Sequence, residues 1–307
     1  VYTQPDRPAG RYLFIDWLTQ GYLGLVGLAI LLFHGSRITY WGWLVLAHAA
    51  GMVVVHLLVR AAARFPRSGV LDLLRHFYPL VMYLGFYRES TMLGQMFIGT
   101  HFDHAFLRLD EALFGFQPSI RFMEAFPTRL ASELFYGAYF SYYVMIVGVG
   151  LALYLQSRER FFHYVSVLSL VFYVCYLTFA LVPVIGPRVL WASIPGFTGQ
   201  AALPYYPLTF PPAVERGFFF AIMKVIYHHF EGPGGAFPSS HVAAAVCTLV
   251  FSWRFLRPIR WLHLVMVVLL SLSTVYCRYH YAVDVPGGLV AAAILIPFGE
   301  RLYQRLG

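Results

Sequence analysis

Long apolar runs separated by short polar segments are the dominant pattern of this chain. An α-helix needs about 20 mainly apolar residues to cross a bilayer, and seven runs come close to this length: 12–33, 40–59, 132–155, 161–183, 239–256, 261–279 and 283–299. A weaker run, 70–87, is interrupted by Asp72, Arg75 and His76. The pattern predicts an all-α, polytopic membrane helix bundle with about eight crossings.

The composition agrees with a membrane protein. Hydrophobic residues make up 59% of the chain and charged residues 12%, whereas soluble domains average about half and about a quarter. The formal net charge of +8 comes from basic residues that lie between the apolar runs rather than in one stripe. A nucleic-acid partner is therefore not expected.

Arginines mark the ends of alternate crossings. They follow the second, fourth, sixth and last runs, at Arg60, Arg64, Arg67, Arg158, Arg160, Arg254, Arg257, Arg260, Arg301 and Arg305. The positive-inside rule then predicts that these ends, and the N-terminus, are cytoplasmic. The loops at about 88–131, 184–238 and 280–283 are expected on the extracytoplasmic face.

The chain is expected to have two parts. Residues 1–67 form an N-terminal two-helix membrane extension, and residues 68–307 form a six-helix core with two long extracytoplasmic loops. Loops of more than about 15 residues in a compact protein are usually functional. Prolines and aromatic residues in the second loop predict a rigid cap at the membrane surface.

The stretch "GAFPSSHVAAAV" places polar groups at the tip of an apolar run. Ser239 and Ser240 follow Pro238 and can cap the free amides of a first helical turn. Capping alone explains the hydroxyls but leaves His241 unexplained. A glycine-flanked helix N-terminus is also suited to binding an anion.

A second polar cluster lies in "YCRYHYAVDVPGG", between the last two runs. Arg278, His280 and Asp284 are ionisable groups at or near membrane depth, where such groups are functional candidates. If the segment is helical, His280 and Asp284 share a face, and the carboxylate can accept the imidazole N–H. The alternative is a buried pair that only joins two helices.

Arg188, in "VPVIGPRVLW", follows the fifth run on the same predicted face. A lone arginine there is most often a snorkelling anchor. Two histidines, two serines, a carboxylate and this guanidinium, all on one side of the membrane, nevertheless form a set suited to a phosphate ester.

These stretches resemble the motifs of one family. "GAFPSSHV" is similar to the P-S-G-H motif, "HYAVDVPGG" to the H-x3-D motif, and "GPRVL" to the arginine-bearing first motif of the type 2 phosphatidic acid phosphatase and haloperoxidase superfamily. "DEALFGFQP" resembles a segment of its inositol phosphorylceramide synthase-like branch. Two family positions differ: a lysine would fall at Leu181 and an arginine at Thr274, for which Arg278 is a candidate substitute.

The resemblance implies a two-step phosphoryl transfer. His280 would attack phosphorus and form a phosphohistidine, Asp284 would orient it, and His241 would act as acid and base. Phosphate oxygens would be held by Arg188, Ser239, Ser240 and Arg278. No metal or cofactor is expected, because the clustered carboxylates of a magnesium site are missing from the sequence.

The sequence thus predicts an integral membrane lipid phosphatase or phosphotransferase with its active site on the extracytoplasmic side. Its partners would be membrane lipids: a phospholipid donor and, for transfer, an alcohol or lipid acceptor. Headgroup transfer to a lipid alcohol is slightly favoured over hydrolysis. The alternative is a transporter or channel that binds an anion in the same polar cluster, although such proteins commonly place polar groups at the bilayer midplane.

Overall fold

The computed structural model describes residues 12–36, 38–188, 210–230 and 234–306, and this part of the chain is helical without a strand. The helices are α1 Phe14–Phe33, α2 Trp41–Arg64, α3 Gly69–Phe97, α4 Asp103–Phe114, α5 Pro118–Ala125, α6 Arg129–Gln156, α7 Arg158–Leu181, α8 Pro212–Glu215, α9 Phe218–Phe230, α10 Ser240–Phe255, α11 Arg260–Tyr276 and α12 Asp284–Leu306.

Six of these helices are long and apolar enough to cross a membrane, namely α1, α2, α6, α7, α11 and α12. The predicted all-α polytopic bundle is confirmed. The other two predicted crossings are also helices but lie outside that set: α3 contains polar residues along its 29 residues, and α10 has only 16.

The centre of the bundle is α7. Its sequence is apolar on nearly every side, as expected for a helix surrounded by protein, and 78% of its most apolar stretch is buried. Helices α1, α3, α6, α10 and α12 pack around it. The main hydrophobic cluster therefore combines side chains from both the N-terminal helices and the core.

Buried polar contacts join α1 to this core. Asp16 pairs with Arg75 of α3 and accepts a hydrogen bond from Tyr78 at 2.7 Å. The Thr19 hydroxyl lies 3.0 Å from that of Tyr173 in α7. Charges inside a membrane bundle are stable only when paired in this way. Helix α2 is more peripheral, since most of its surface is exposed.

The predicted extracytoplasmic loops contain helices of their own. Helix α3 continues to Phe97, and α4, α5, α8 and α9 follow in the connecting segments. The helix α4 is amphipathic and ends at Gly115, which has the left-handed φ of 76° that favours glycine. Part of the predicted surface cap, residues 189–209 and 231–233, lies outside the described residues.

Helix directions bring the candidate residues to one end of the bundle. The C-terminal ends of α3, α7 and α11 meet the N-terminal ends of α6, α10 and α12 there. The arginines that follow alternate crossings lie at the opposite end. The site is therefore built where three inter-helix connections approach each other, with α4 beside them.

Candidate active site

His280 lies in the tight turn between α11 and α12. The backbone N–H groups of Tyr279 and His280 both donate to the Thr274 carbonyl at 3.0 Å, and Arg278 has a positive φ of 63°. This turn reverses the chain within a few residues and leaves His280 only 2% exposed. The imidazole thus points into the protein rather than into solvent or lipid.

Two acceptors fix the tautomer of His280. Its Nδ1 lies 2.8 Å from the Ala236 carbonyl oxygen and 3.2 Å from Oδ2 of Asp284. Because both partners can only accept, Nδ1 must carry the proton, and in the neutral ring Nε2 keeps its lone pair. The nitrogen available for attack is therefore Nε2.

His241 faces that nitrogen from the first turn of α10. Its Nδ1 lies 3.3 Å from Nε2 of His280, and its Nε2 lies 2.8 Å from the Tyr139 hydroxyl of α6. Ser239 caps the helix, accepting from the Val242 N–H at 3.4 Å, and its Oγ is 3.3 Å from His280 Nε2. The serine thus serves both the helix start and the histidine pair.

Asp284 begins α12 and holds the turn together. Its Oδ2 accepts from the Tyr281 N–H at 2.9 Å as well as facing His280, and its carbonyl accepts from the Ser239 N–H at 3.2 Å. The starts of α10 and α12 are therefore hydrogen-bonded to each other. This connection sets the separation of the two histidines.

Two cavities adjoin the histidines. A small one of about 20 Å³ is lined by both imidazoles, by backbone of Gly234 to Ala236, and by Tyr227 and Tyr279. A larger one of about 370 Å³ has a mainly apolar lining, and of the candidate site residues only Ser240 and His241 belong to it. The polar and apolar spaces thus meet at His241.

The two predicted arginines are separated from the small cavity by Tyr227 and Tyr279, which line it. Arg188 donates from Nη1 to the Tyr279 hydroxyl at 2.7 Å, and its guanidinium stacks 4.4 Å from the ring centre of Tyr227. Arg278 is buried, with its guanidinium 5.3 Å from the Phe210 ring, which also contacts Arg188. Among the described residues, neither arginine lines the small cavity.

A family model described as the PAP2 superfamily matches residues 104–298, which is more than half of the chain. The chain belongs to the PAP2 superfamily. This membership suggests a membrane phosphatase-type function. The inositol phosphorylceramide synthase-like branch is a finer assignment that the family match does not reach.

A curated relative agrees with the PAP2 assignment over a short region. A PA-phosphatase related-family protein of Dictyostelium discoideum is 29% identical over 86 residues. The match covers 27% of this chain and 16% of that relative, so the chain spans only a small part of its length. No solved structure matched the chain.

Three contacts of this PAP2 site were not predicted from the sequence. No motif or spacing marks Tyr139 in the sequence, yet its hydroxyl is hydrogen-bonded to His241. Asp103 and Asp110 of α4 accept hydrogen bonds from the segments beside Arg188 and His280. The similarity of "DEALFGFQP" to a family segment was the available signal for Asp110.

Close packing in the PAP2 site predicts a strong effect at Gly288. A Cβ there would lie 2.5 Å from the Ser239 carbonyl oxygen and 2.9 Å from Cβ of Val242. We expect Gly288→Ala to lower the free energy of unfolding by about 1–3 kcal/mol, as overpacking does, because α10 and α12 must separate. Thermal unfolding in detergent micelles measures this.

Gly148→Ala is the matched control, since a Cβ at that helical position meets nothing within 4 Å. Alanine in a helix is favoured over glycine by roughly 0.5–1 kcal/mol, so this variant should be as stable as the wild type or more stable. Equal melting temperatures for the two variants would contradict the proposed tight contact.

Proposed function

We infer that this protein is an integral membrane lipid phosphatase or phosphotransferase that works through a phosphohistidine. The observation that carries the proposal is the pair of imidazoles 3.3 Å apart, one of them with its Nδ1 proton held by a carboxylate. A lone pair on Nε2 of His280 and a second proton carrier beside it are the two functions that nucleophilic phosphoryl transfer requires.

In the first step Nε2 of His280 attacks phosphorus. An N–P bond forms, the P–O bond to the lipid alcohol breaks, and its electron pair leaves on oxygen. Protonated His241 donates a proton from Nδ1 to that oxygen. Asp284 keeps the proton on Nδ1 of His280 and stabilises the positive charge that develops on the ring.

In the second step His241 removes the proton of a water or an alcohol. The resulting oxygen attacks phosphorus, and the N–P bond breaks with its electrons returning to Nε2 of His280. The Tyr139 hydroxyl, 2.8 Å from Nε2 of His241, can accept from the protonated ring or donate to the neutral one. It therefore supports His241 in both of its states.

The start of α10 supplies donors for the phosphate oxygens. The Ser239 hydroxyl and the backbone amides of Ser240 and His241 lie at a helix N-terminus, which favours an anion. We propose that Arg188 also binds the phosphate oxygens, once Tyr227 and Tyr279 have moved away from its guanidinium. At 3.3 Å the imidazoles contact each other directly, so the phosphoryl group binds only when their side chains separate.

The larger cavity favours a lipid as the leaving and accepting alcohol. Helices α3 and α6 both pack against α7. They contact each other at one end, where the Tyr154 hydroxyl donates to Asp72, and the cavity lies between them nearer the histidines. It is lined by side chains such as Leu84 and Val147, which are 59% and 49% exposed at the bundle surface. Its polar end is His241, the residue assigned to protonate the alcohol.

We place the reaction at the extracytoplasmic surface, because the arginine-rich ends of the helices lie at the opposite end of the bundle. The cavity size, about 370 Å³, is in the range of small-molecule sites. One lipid alcohol can leave it and another can enter before the phosphohistidine is broken, which is compatible with headgroup transfer as well as with hydrolysis.

The test uses the purified full-length protein with two labelled donors, phosphatidic acid and phosphatidylinositol. Each is incubated with and without ceramide and diacylglycerol, and free phosphate, inositol phosphate and new phospholipids are quantified. We expect release of a labelled product together with an acid-labile, base-stable phosphoenzyme. Accumulation of phosphate in vesicles without any product would instead support an anion transporter.

Filling the apolar cavity is expected to weaken lipid substrates selectively. Leu80 of α3 lines the cavity, and Leu80→Trp should reduce kcat/KM for a long-chain phosphatidic acid about tenfold, equivalent to about 1.4 kcal/mol. A short water-soluble phosphate ester should be turned over at the wild-type rate. Steady-state kinetics in mixed micelles distinguish the two substrates.

The neighbouring Val81 provides the control, because it does not line the cavity and is 70% exposed on the outer surface of α3. Val81→Trp should leave both substrates unaffected. An equal loss with the long and the short substrate in Leu80→Trp would argue against a lipid-binding role for the cavity.

A further inference from the structure

Helix α4 carries two carboxylates that are fully buried although the helix lies outside the predicted spans. Asp103 and Asp110 are both 0% exposed. They are seven residues apart, so they lie on one face of the helix about two turns from each other. Neither contacts the histidines directly, and both accept from the connections that carry the catalytic residues.

Asp110 binds the start of α12. Its two oxygens accept from the N–H groups of Ala282 and Val283, at 2.9 and 3.0 Å. Burial raises the pKa of the Asp110 carboxyl, and these two amide bonds act in the opposite direction. The amides belong to the turn between His280 and Asp284, so this side chain fixes the turn that leads into α12, although it lies far away in the sequence.

Asp103 joins the same turn to the segment that follows α7. Its carboxylate accepts from the N–H groups of Ile185 and Gly186, at 3.0 and 2.9 Å, and from the Tyr281 hydroxyl at 2.8 Å. The first two lie directly before Arg188, and Tyr281 directly follows His280. One carboxylate therefore ties the arginine segment to the histidine turn.

The backbone segments that Asp103 joins are packed tightly against each other. Gly186 has a φ of 98°, and a Cβ on it would lie 2.7 Å from the Tyr279 carbonyl oxygen. The two connections therefore touch through backbone atoms, with Asp103 bonded to both. A shift in either connection changes the position of the other, which couples the arginine to the nucleophile.

We propose that Asp103 and Asp110 are positioning residues that hold the Arg188 segment and the His280–Asp284 turn in the geometry needed for phosphoryl transfer. This inference rests on the proposed function. Displacing a reacting group by about 1 Å can cost about 100-fold in rate. The carboxylates are therefore expected to act on the chemical step and only weakly on substrate binding.

The experiment measures single-turnover kinetics of phosphoenzyme formation in five proteins. These are the wild type, Asp110→Ala, Asp110→Asn, Asp103→Asn and, as the control, Glu111→Gln, which changes an exposed carboxylate of α4. The labelled donor is whichever of phosphatidic acid and phosphatidylinositol the wild type turns over. The amplitude counts the competent sites, and the rate constant reports the chemistry in each site.

A positioning role predicts a rate constant about 100-fold lower in Asp110→Ala and about tenfold lower in Asp110→Asn, which keeps one accepting oxygen. KM should change less than threefold, and Glu111→Gln should match the wild type. If Asp110→Ala does not fold, Asp110→Asn and Asp103→Asn carry the test with the same criteria.

A lower amplitude with a wild-type rate constant in the folded variants would mean a purely structural role and would overturn the inference. Wild-type values for both quantities would overturn it as well. If the wild-type protein turns over neither donor, the proposed function fails, and the inference fails with it. A lower rate constant confined to the Asp110 and Asp103 variants, with an active wild type, therefore distinguishes the positioning role from the proposed function.

Discussion

Replacing His280 by alanine is expected to abolish phosphoenzyme formation and to lower turnover by at least about 10⁴-fold, the order found when an enzyme loses its nucleophile. The ring is the only group that combines a proton-bearing Nδ1 facing Asp284 with an Nε2 facing His241 in the described site. The measurement is acid-labile labelling of the protein together with product release from the lipid substrate.

His263→Ala is the matched control for this variant. His263 is also a buried histidine, 4% exposed, and it contacts the Thr248 hydroxyl at 3.0 Å away from the candidate site. It should keep the phosphoenzyme even if its melting temperature falls. Acid-labile label in His280→Ala at the wild-type level would exclude His280 as the nucleophile.

Replacing His241 by alanine is expected to lower turnover of a lipid phosphate by about 10²–10⁴-fold, the usual range for losing a general acid or base. The defect in the first step should largely disappear with p-nitrophenyl phosphate, because its leaving group departs without a proton. The position of His241 between His280 and the apolar cavity is the reason for this expectation. Burst kinetics measure the first step alone.

The same comparison distinguishes the two histidines. His280→Ala should be inactive with the lipid and with p-nitrophenyl phosphate, whereas His241→Ala should recover the burst with the activated ester. If His241→Ala fails equally on both substrates, His241 is not the acid for the leaving group. Recovery by His280→Ala instead would reverse the two assignments.

The bundle was accessible from the sequence because the apolar runs are long. Predicted crossings such as 12–33 and 132–155 correspond to α1 and α6 within a few residues. In lipid every backbone polar group must be hydrogen-bonded within the segment, so an apolar run of this length is expected to form a helix. Polar residues at the ends of such runs are then easy to recognise as functional candidates, because an ionisable group at membrane depth is energetically costly.

The connecting helices were harder to predict. Helices α4, α5 and α9 are short and contain both polar and aromatic residues. Their composition resembles that of a surface loop, which obscures the helical spacing of their apolar residues. Their stability comes from packing on the bundle, which local sequence does not report. The predicted loop 88–131 is therefore largely helical in the structure.

The candidate site was predictable only in part for a similar reason. His280 and Asp284 are four residues apart, so their contact is local. It is made by the turn that precedes α12, not by a helix containing both residues, which was the expectation from their spacing. The Tyr139–His241 contact spans 102 residues and the Asp110–Ala282 contact 172. Neither spacing carries a periodic signal. Arg188 was predicted beside the phosphate, but its aromatic partners depend on the packing of three separate segments.

The gap between α3 and α6 has a consequence for how the site is supplied. A lipid that reaches His241 through this gap need not leave the bilayer, so its encounter with the enzyme is a two-dimensional process. The effective concentration is then the mole fraction of that lipid in its own leaflet, not its amount per volume of water. For the proposed lipid substrates, leaflet composition, thickness and fluidity would then determine the rate, and lipid asymmetry would determine which molecules reach the site.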